Sequence, residues 1–131
     1  MRTFKFRSFD ESENKFWYFT LQEVLERRMG YRGSWDTKIM QGKKMQGTEI
    51  NDSFGNEIYE ADIVNVVEPL VGGRESNFIG IVKFDEGSWW VDNAKEAIQL
   101  FDECNDIEIL GNIYENKDLI DKYRLNEPEI I

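Results

Sequence analysis

Apolar and polar positions alternate with a period of two through the opening segment, where Phe4 and Phe6 fall on one side of an extended chain and Lys5 and Arg7 on the other. Asp10-Glu11-Ser12-Glu13-Asn14 is turn-forming, and Phe16-Trp17-Tyr18-Phe19 returns as the partner strand. Thr20-Leu21-Gln22-Glu23 has capping-box spacing, in which the threonine oxygen and the glutamate each satisfy the other's backbone N–H at a helix start. The helix it opens carries Leu21, Val24, Leu25 and Met29 on one face, and Gly30 stops it. From Tyr31 to Thr48 the pattern weakens at Gly33, Gly42 and Gly47, which predicts irregular structure or a short edge strand around Lys38–Gln41.

Asp52-Ser53-Phe54-Gly55-Asn56 is turn chemistry, because glycine accepts positive φ and asparagine tolerates it. The chain then runs through Ile58 and Tyr59 into Asp62–Glu68, where Ile63, Val64, Val66 and Val67 are too continuously apolar for a strand exposed on one side. A central strand is expected there. Pro69 to Ser76 connects to a second long strand, Phe78–Asp85, with Phe78, Gly80, Val82 and Phe84 facing one way and Ile79 and Ile81 the other. Asp85-Glu86-Gly87 predicts a tight hairpin into Ser88-Trp89-Trp90-Val91. Asn93–Phe101 reads as one or two helical turns, Ile107–Tyr114 as the last strand, and Lys117–Arg124 as a helix capped by Asn116 with Leu119, Ile120 and Tyr123 facing inward. The predicted fold is mainly β, with short helices: a strongly bent antiparallel sheet or a small SH3-like barrel carrying two or three short helices. One domain is expected over residues 1–124, with residues 125–131 as a frayed tail containing Pro128.

The overall composition narrows the function classes. At 131 residues the chain has the length of one ordinary domain and hides about two-thirds of its extended surface on folding. Histidine is absent, which excludes histidine-based triads and removes the commonest zinc ligand. Cys104, the single cysteine, forms no internal disulfide and builds no thiolate metal site, and this usage fits a reducing cytoplasm. No run approaches the roughly 18 apolar residues of a membrane span, and the start lacks a secretory signal's apolar stretch. Net charge is −10, from 26 acidic against 16 basic residues, so the average field repels phosphate and argues against nucleic acid as a ligand.

Four separated stretches, Phe4-Lys5-Phe6-Arg7, Gly55 to Val64, Gly80-Ile81-Val82-Lys83-Phe84 and Gly111-Asn112-Ile113-Tyr114-Glu115-Asn116, occur in the order that makes this chain resemble the YopX-like proteins of bacteriophages and prophages. The resemblance implies a phage-derived cytoplasmic protein with a predominantly β fold that associates with itself, and it names no catalytic residue. The family pattern has a glycine-containing turn where this chain has Thr48-Glu49-Ile50-Asn51-Asp52, and often a glycine where it has Ala61.

Each candidate site has a plainer structural alternative. Glu57, Glu60 and Asp62 would suit paired acid and base roles, yet groups at a strand entry more often bind backbone amides. Asp102 to Glu108 is rich in hard oxygen ligands but lacks the glycine and spacing of a calcium loop, with Ile107 where the sharp turn is needed. Acidic neighbours weaken Cys104 as a nucleophile. Gly72-Gly73-Arg74 lacks the lysine and hydroxyl of a phosphate loop. Arg27-Arg28 and Lys43-Lys44, with Tyr31, Arg32 and Trp35 between them, could stack single-stranded bases.

Adjacent Trp89 and Trp90 must project from opposite faces of a strand, so one enters the core and the other lies under a neighbouring element or at an interface. The expected interface comprises Trp35, Trp89, Trp90 and Tyr31, with no catalytic group, metal or cofactor. The leading expectation is a non-enzymatic phage accessory protein that forms a homo-oligomer or binds a host or phage protein. The alternative is a nucleic-acid-related module, either a small-barrel binder or an acidic decoy that mimics DNA. A magnesium-dependent carboxylate hydrolase is the third reading.

Overall fold

The computed structural model describes residues 4–27 and 41–130. The chain divides into two compact units. The described residues up to Gly47, together with Glu129 and Ile130, form one, and Thr48–Pro128 form the other. The described residues are mainly β: nine strands in two antiparallel sheets, with two short helices.

In the first unit β1 (Lys5–Asp10) and β2 (Lys15–Thr20) form the predicted hairpin, with Phe6 opposite Phe19 and Phe9 opposite Phe16. Asp10 closes the turn, its Oδ1 accepting the backbone N–H of Ser12 at 3.0 Å and the Ser12 hydroxyl at 2.6 Å. Aromatic pairs fasten both faces: Phe6 stacks on Phe19 at 5.5 Å, and Phe9 meets Phe16 edge-on at 5.0 Å. Helix α1 (Leu21–Arg27) starts at the predicted capping box. The Thr20 N–H donates to Glu23 Oε1 at 3.0 Å and the Glu23 N–H donates to Thr20 Oγ1 at 3.2 Å. Thr20→Ala is expected to cost about 1 kcal/mol in a urea titration, with Thr20→Ser close to neutral, because serine keeps the oxygen. Val24 is half-buried whereas Leu21 and Leu25 are exposed; Met29 and Gly30 lie outside the described residues.

β3 (Lys43–Asn51) is a nine-residue strand where the sequence reading expected irregular structure. Its Gly47 and its residue with positive φ, Glu49, break the period-two pattern that would have revealed it. The first part of β3 pairs with β1, Met45 lying opposite Arg7. The Lys38–Gln41 edge strand falls almost wholly outside the described residues.

The second unit centres on a sheet of order β8-β7-β6-β5-β9, made by β5 (Asp62–Pro69), β6 (Glu75–Asp85), β7 (Ser88–Asp92), β8 (Ala97–Gln99) and β9 (Asp106–Asn112). β5 is central, as its continuous apolar run predicts. Cross-strand partners place Val64, Val66, Phe78, Val82, Trp89, Val91, Ile98, Ile107 and Ile109 on one face. That face forms the main core with Ile58 and Leu100, both fully buried. Each aliphatic side chain there contributes about 1.5–3 kcal/mol relative to an exposed one. β4 (Glu57–Tyr59) is hydrogen-bonded to β3 and delivers Ile58 to this core.

Helix α2 (Lys117–Tyr123) buries Ile120, with Leu119 and Tyr123 half-buried. It ends at Arg124 in the left-handed conformation, and the Leu125 N–H returns to the Ile120 carbonyl at 2.9 Å, leaving Leu125 buried.

Two expectations are corrected. Among the described residues neither sheet closes into an SH3-like barrel: β8 is only three residues long, and the outward carbonyl of Ile107 on β9 is taken by Ser53 of the β3–β4 turn. The segment Asn93–Phe101 is not helical. Asn93 Oδ1 accepts the N–H groups of Lys95 and Glu96 at 2.9 and 2.8 Å, offering the backbone a turn in place of a helix, and Ala97–Gln99 then pairs with β7.

Candidate functional site

The two sequence blocks that stand out along the chain both build turns, and their polar side chains are engaged by backbone. Asp52 is buried, its Oδ1 accepting the N–H of Phe54 at 3.0 Å and of Asn56 at 2.8 Å. Asp62 is 3% exposed at the start of β5, and its Oδ2 accepts the Tyr59 N–H at 2.8 Å, closing the turn from β4. The intervening Ala61 is fully buried. It is held by its N–H to the Val82 carbonyl at 2.9 Å and by its carbonyl to the Ile113 N–H at 3.1 Å. Glu60 is half-buried in the same turn, and Glu57 Oε2 accepts the Glu49 N–H at 3.3 Å.

Asn112 organises the second block. Its Oδ1 accepts from Tyr114 at 3.0 Å and Glu115 at 2.9 Å, and its Nδ2 donates to Glu115 Oε1 at 2.9 Å. Asn116 occupies the N-cap position of α2 without capping it. Its Oδ1 turns back to accept the Asn112 N–H at 3.1 Å, and that side chain crosses directly over Gly111, where a Cβ would collide with it. The predicted cap is thus corrected: Asn116 stabilises the turn before the helix rather than the helix end.

Ala61 and Glu49 have φ of 74° and 64°, in the left-handed region that favours glycine. They lie where the resemblance drawn from sequence expected glycine. This chain retains the backbone shape without the residue that makes it easiest.

The candidate interface residues are only partly brought together. Trp89 lies on the core face, half-buried, with Phe84 edge-on at 5.0 Å and itself 54% exposed. Trp90 lies on the opposite face, half-buried, and its Nε1 donates to the Asp85 carbonyl at 2.9 Å across the hairpin. Trp35 and Tyr31 fall outside the described residues, as do Arg28 and Arg32 of the basic and aromatic patch.

Beside Trp90, Lys83 Nζ and Asp92 form an ion pair at 2.6 Å. The hydrogen bond and charge of Asp92 raise the Lys83 pKa, and Lys83 together with the Ala94 N–H lowers the Asp92 pKa. Because Asp92 titrates lower in the folded state, its contribution is present above the ordinary aspartate range and disappears as pH falls through its depressed pKa. Because Lys83 titrates higher, its contribution holds below the ordinary lysine range and disappears as pH rises through the raised value. A double-mutant cycle with Lys83→Ala and Asp92→Ala is expected to give a coupling of no more than about 1 kcal/mol at neutral pH, since both groups remain partly solvated. The coupling should vanish in strong acid.

The acidic loop before β9 borders a shallow depression of about 260 Å³ lined by Ile50, Asp52, Ser53, Phe101, Asp102, Glu103, Asp106 and Ile107 among others. Asp102 Oδ1 accepts the Cys104 N–H at 2.9 Å, and Cys104 is exposed. Among the described residues no group of three or more acidic, cysteine or histidine side chains is arranged to hold a metal ion, and no helix is long and apolar enough to cross a membrane. Large apolar side chains remain in solvent at the sheet margins: Phe54 is 77% exposed, Val71 91% and Phe101 63%.

One residue escaped the sequence reading. Arg7, assigned to the outer side of β1, is 4% exposed with its guanidinium 4.4 Å from the centre of the Phe16 ring. The Lys5, Arg7 alternation looked solvent-facing, and only the aromatic residue beside it, Phe16 on the partner strand, hinted otherwise.

No curated protein matches this chain. The family model described as YopX protein matches residues 5–121, a span that contains both turn blocks and every strand of the two sheets, and the chain belongs to the YopX family.

Proposed function

We propose that this YopX-family protein is a non-enzymatic phage accessory module that works in the cytoplasm by binding another protein or by assembling with itself. The observation that carries this reading is the exposure of large apolar side chains, Phe54, Val71, Phe84 and Phe101, on a unit whose core is otherwise well filled. Of the carboxylates weighed for acid and base roles, Asp62 accepts the Tyr59 N–H and Glu57 the Glu49 N–H, which supports a turn-stabilising part for them. Aromatic anchors with a charged rim suit recognition, since tryptophan and its aromatic neighbours concentrate binding energy when a partner covers them. Phe84, 54% exposed and edge-on to its cross-strand partner Trp89, supplies such an anchor.

The test combines sedimentation velocity over a concentration series with recovery of bound proteins from lysogenic cells, using the full chain and the variant Phe84→Ser. Self-association or a specific partner that is reduced in the variant supports the reading. A monomer at all concentrations with no partner recovered overturns it. A DNA-competed basic protein among the recovered partners would favour the acidic decoy instead.

A further inference from the structure

Among the described residues, the edge of β6 below its contact with β7 is unpaired and correctly polarised to accept another strand. In an antiparallel ladder, successive residues direct their N–H and C=O to alternate sides. The Leu70 N–H donates to the Arg74 carbonyl at 2.8 Å, so the even-numbered residues of β6 bond β5. Its odd-numbered residues therefore face the other edge. β7 covers that edge only from Ile81 to Asp85. Beyond Asp92 the chain is turned away: Asp92 Oδ1 accepts the Ala94 N–H at 2.7 Å, and Ala94 has φ of 77°. Among the described residues this leaves the backbone groups of Glu75, Asn77 and Ile79 facing no strand. Glu75, Ser76 and Asn77 are exposed, and Phe78 and Ile79 half-buried.

Two other margins of this sheet are protected. On β5 the odd residues face β9, whose pairing begins at Asp106 opposite Val67, and the next outward donor along β5 would be Pro69, which has none. On β9 the outward carbonyl of Ile107 accepts both the N–H and the hydroxyl of Ser53, at 2.8 and 2.9 Å. The β6 edge carries neither device.

A second copy using the same edge fits poorly. Twofold pairing centred on Asn77 or Ser76 would set Arg74 or Gly72 of that copy beside Gly80, where the edge is already taken by β7, whose Asp92 lies opposite the adjacent Ile81. Pairing centred on Glu75 would set two Glu75 carboxylates opposite each other. A segment that leaves the sheet at Asn93 meets neither obstacle. The net charge of −10, with Glu75 on the edge itself, favours a basic partner, and half-exposed Phe78 offers apolar contact on the core face.

Resting on the reading of this chain as a protein-binding module, we infer that residues 75–79 of β6 capture an extended, basic segment of another protein as an added strand. Its backbone pairs with Glu75, Asn77 and Ile79, its cationic side chains face Glu75 and Asn77, and its apolar ones face Phe78.

The test titrates the full chain with a capped heptapeptide of alternating lysine and valine while amide hydrogen exchange is followed by NMR. Protection should appear at the N–H groups of Glu75, Asn77 and Ile79 and not change at Ser76 and Phe78. Asn77→Pro should weaken binding about tenfold by removing one outward donor, while Asn77→Ala, which removes only the exposed hydrogen bond from Asn65 Nδ2 to Asn77 Oδ1, serves as the control for its effect on the unfolding midpoint and should leave binding unchanged. The same peptide N-methylated on the amides directed at β6 should lose binding to the unaltered chain, a check independent of how the variant folds. Glu75→Lys should weaken the lysine probe and favour one of alternating glutamate and valine. The inference is overturned if protection is absent or falls on other strands, or if these amides gain protection with protein concentration alone, which would assign the edge to a second copy. Recovery of a partner by co-purification while this edge stays unprotected would retain the binding-module reading and refute only the strand-addition site.

Discussion

Gly80→Ala is expected to destabilise the second unit by about 3 kcal/mol, the upper range for forcing extra volume into a packed site. The added Cβ would sit 2.7 Å from the Asp92 carbonyl oxygen, 2.8 Å from its carbon and 2.9 Å from Val91 Cγ1. Two of those three atoms are backbone of β7, so no rotamer change relieves the contact. The strand itself must move, and it carries Val91, fully buried in the core, and the Asp92 end of the ion pair with Lys83. A urea titration followed by tryptophan fluorescence reads the loss directly, because Trp89 and Trp90 lie on the displaced strand. A change below about 0.5 kcal/mol, the ordinary range of a surface substitution, would show that β6 and β7 are not in this close approach.

The period-two pattern located β1 and β6, the continuous apolar run located β5, and turn signals located β2 and β7, the tight turn being legible at Asp85-Glu86-Gly87, where Glu86 and Gly87 adopt φ of 50° and 78°. Strand faces were legible as well: Phe78, Gly80 and Val82 lie on the side opposite Ile79 and Ile81, as alternation requires. The misses have a shared cause. β3 and β8 are held in their sheets by neighbouring strands rather than by their own apolar pattern, and Gly47, Glu49 and the turn at Asn93 conceal them locally. Arg7 was misplaced because alternation assigns a face without saying whether that face meets solvent.

The candidate site was less legible than the fold. Trp89 and Trp90 were correctly separated onto two faces, but the hydrogen bond that engages Trp90 with Asp85 depends on hairpin geometry that spacing does not carry. The open edge of β6 was invisible in sequence for a different reason. It arises from the distance between where β5 and β7 stop along β6, and not from any residue type within Glu75–Ile79.

Asn112→Ala is expected to cost about 3 kcal/mol, the sum of leaving two backbone donors without their acceptor in a mostly buried turn. Asn112 is 8% exposed, and the N–H groups of Tyr114 and Glu115 both converge on its Oδ1. Loss of that oxygen also frees the turn that places Ile113, 3% exposed, against the Ala61 carbonyl. Asn112→Asp separates the two functions of the side chain. The carboxylate retains the acceptor for both N–H groups but replaces the Nδ2 donor with an oxygen facing Glu115 Oε1. Repulsion between the two carboxylates raises the pKa of the pair in the folded state, so the variant is most stable below the ordinary carboxylate range and loses stability as pH rises through the raised value. Near-equal denaturation midpoints for Asn112→Asp and the unaltered chain at pH 4, diverging by pH 7, would establish that Asn112 serves as both acceptor and donor. Equal losses for the alanine and aspartate variants at every pH would instead assign its role to shape alone.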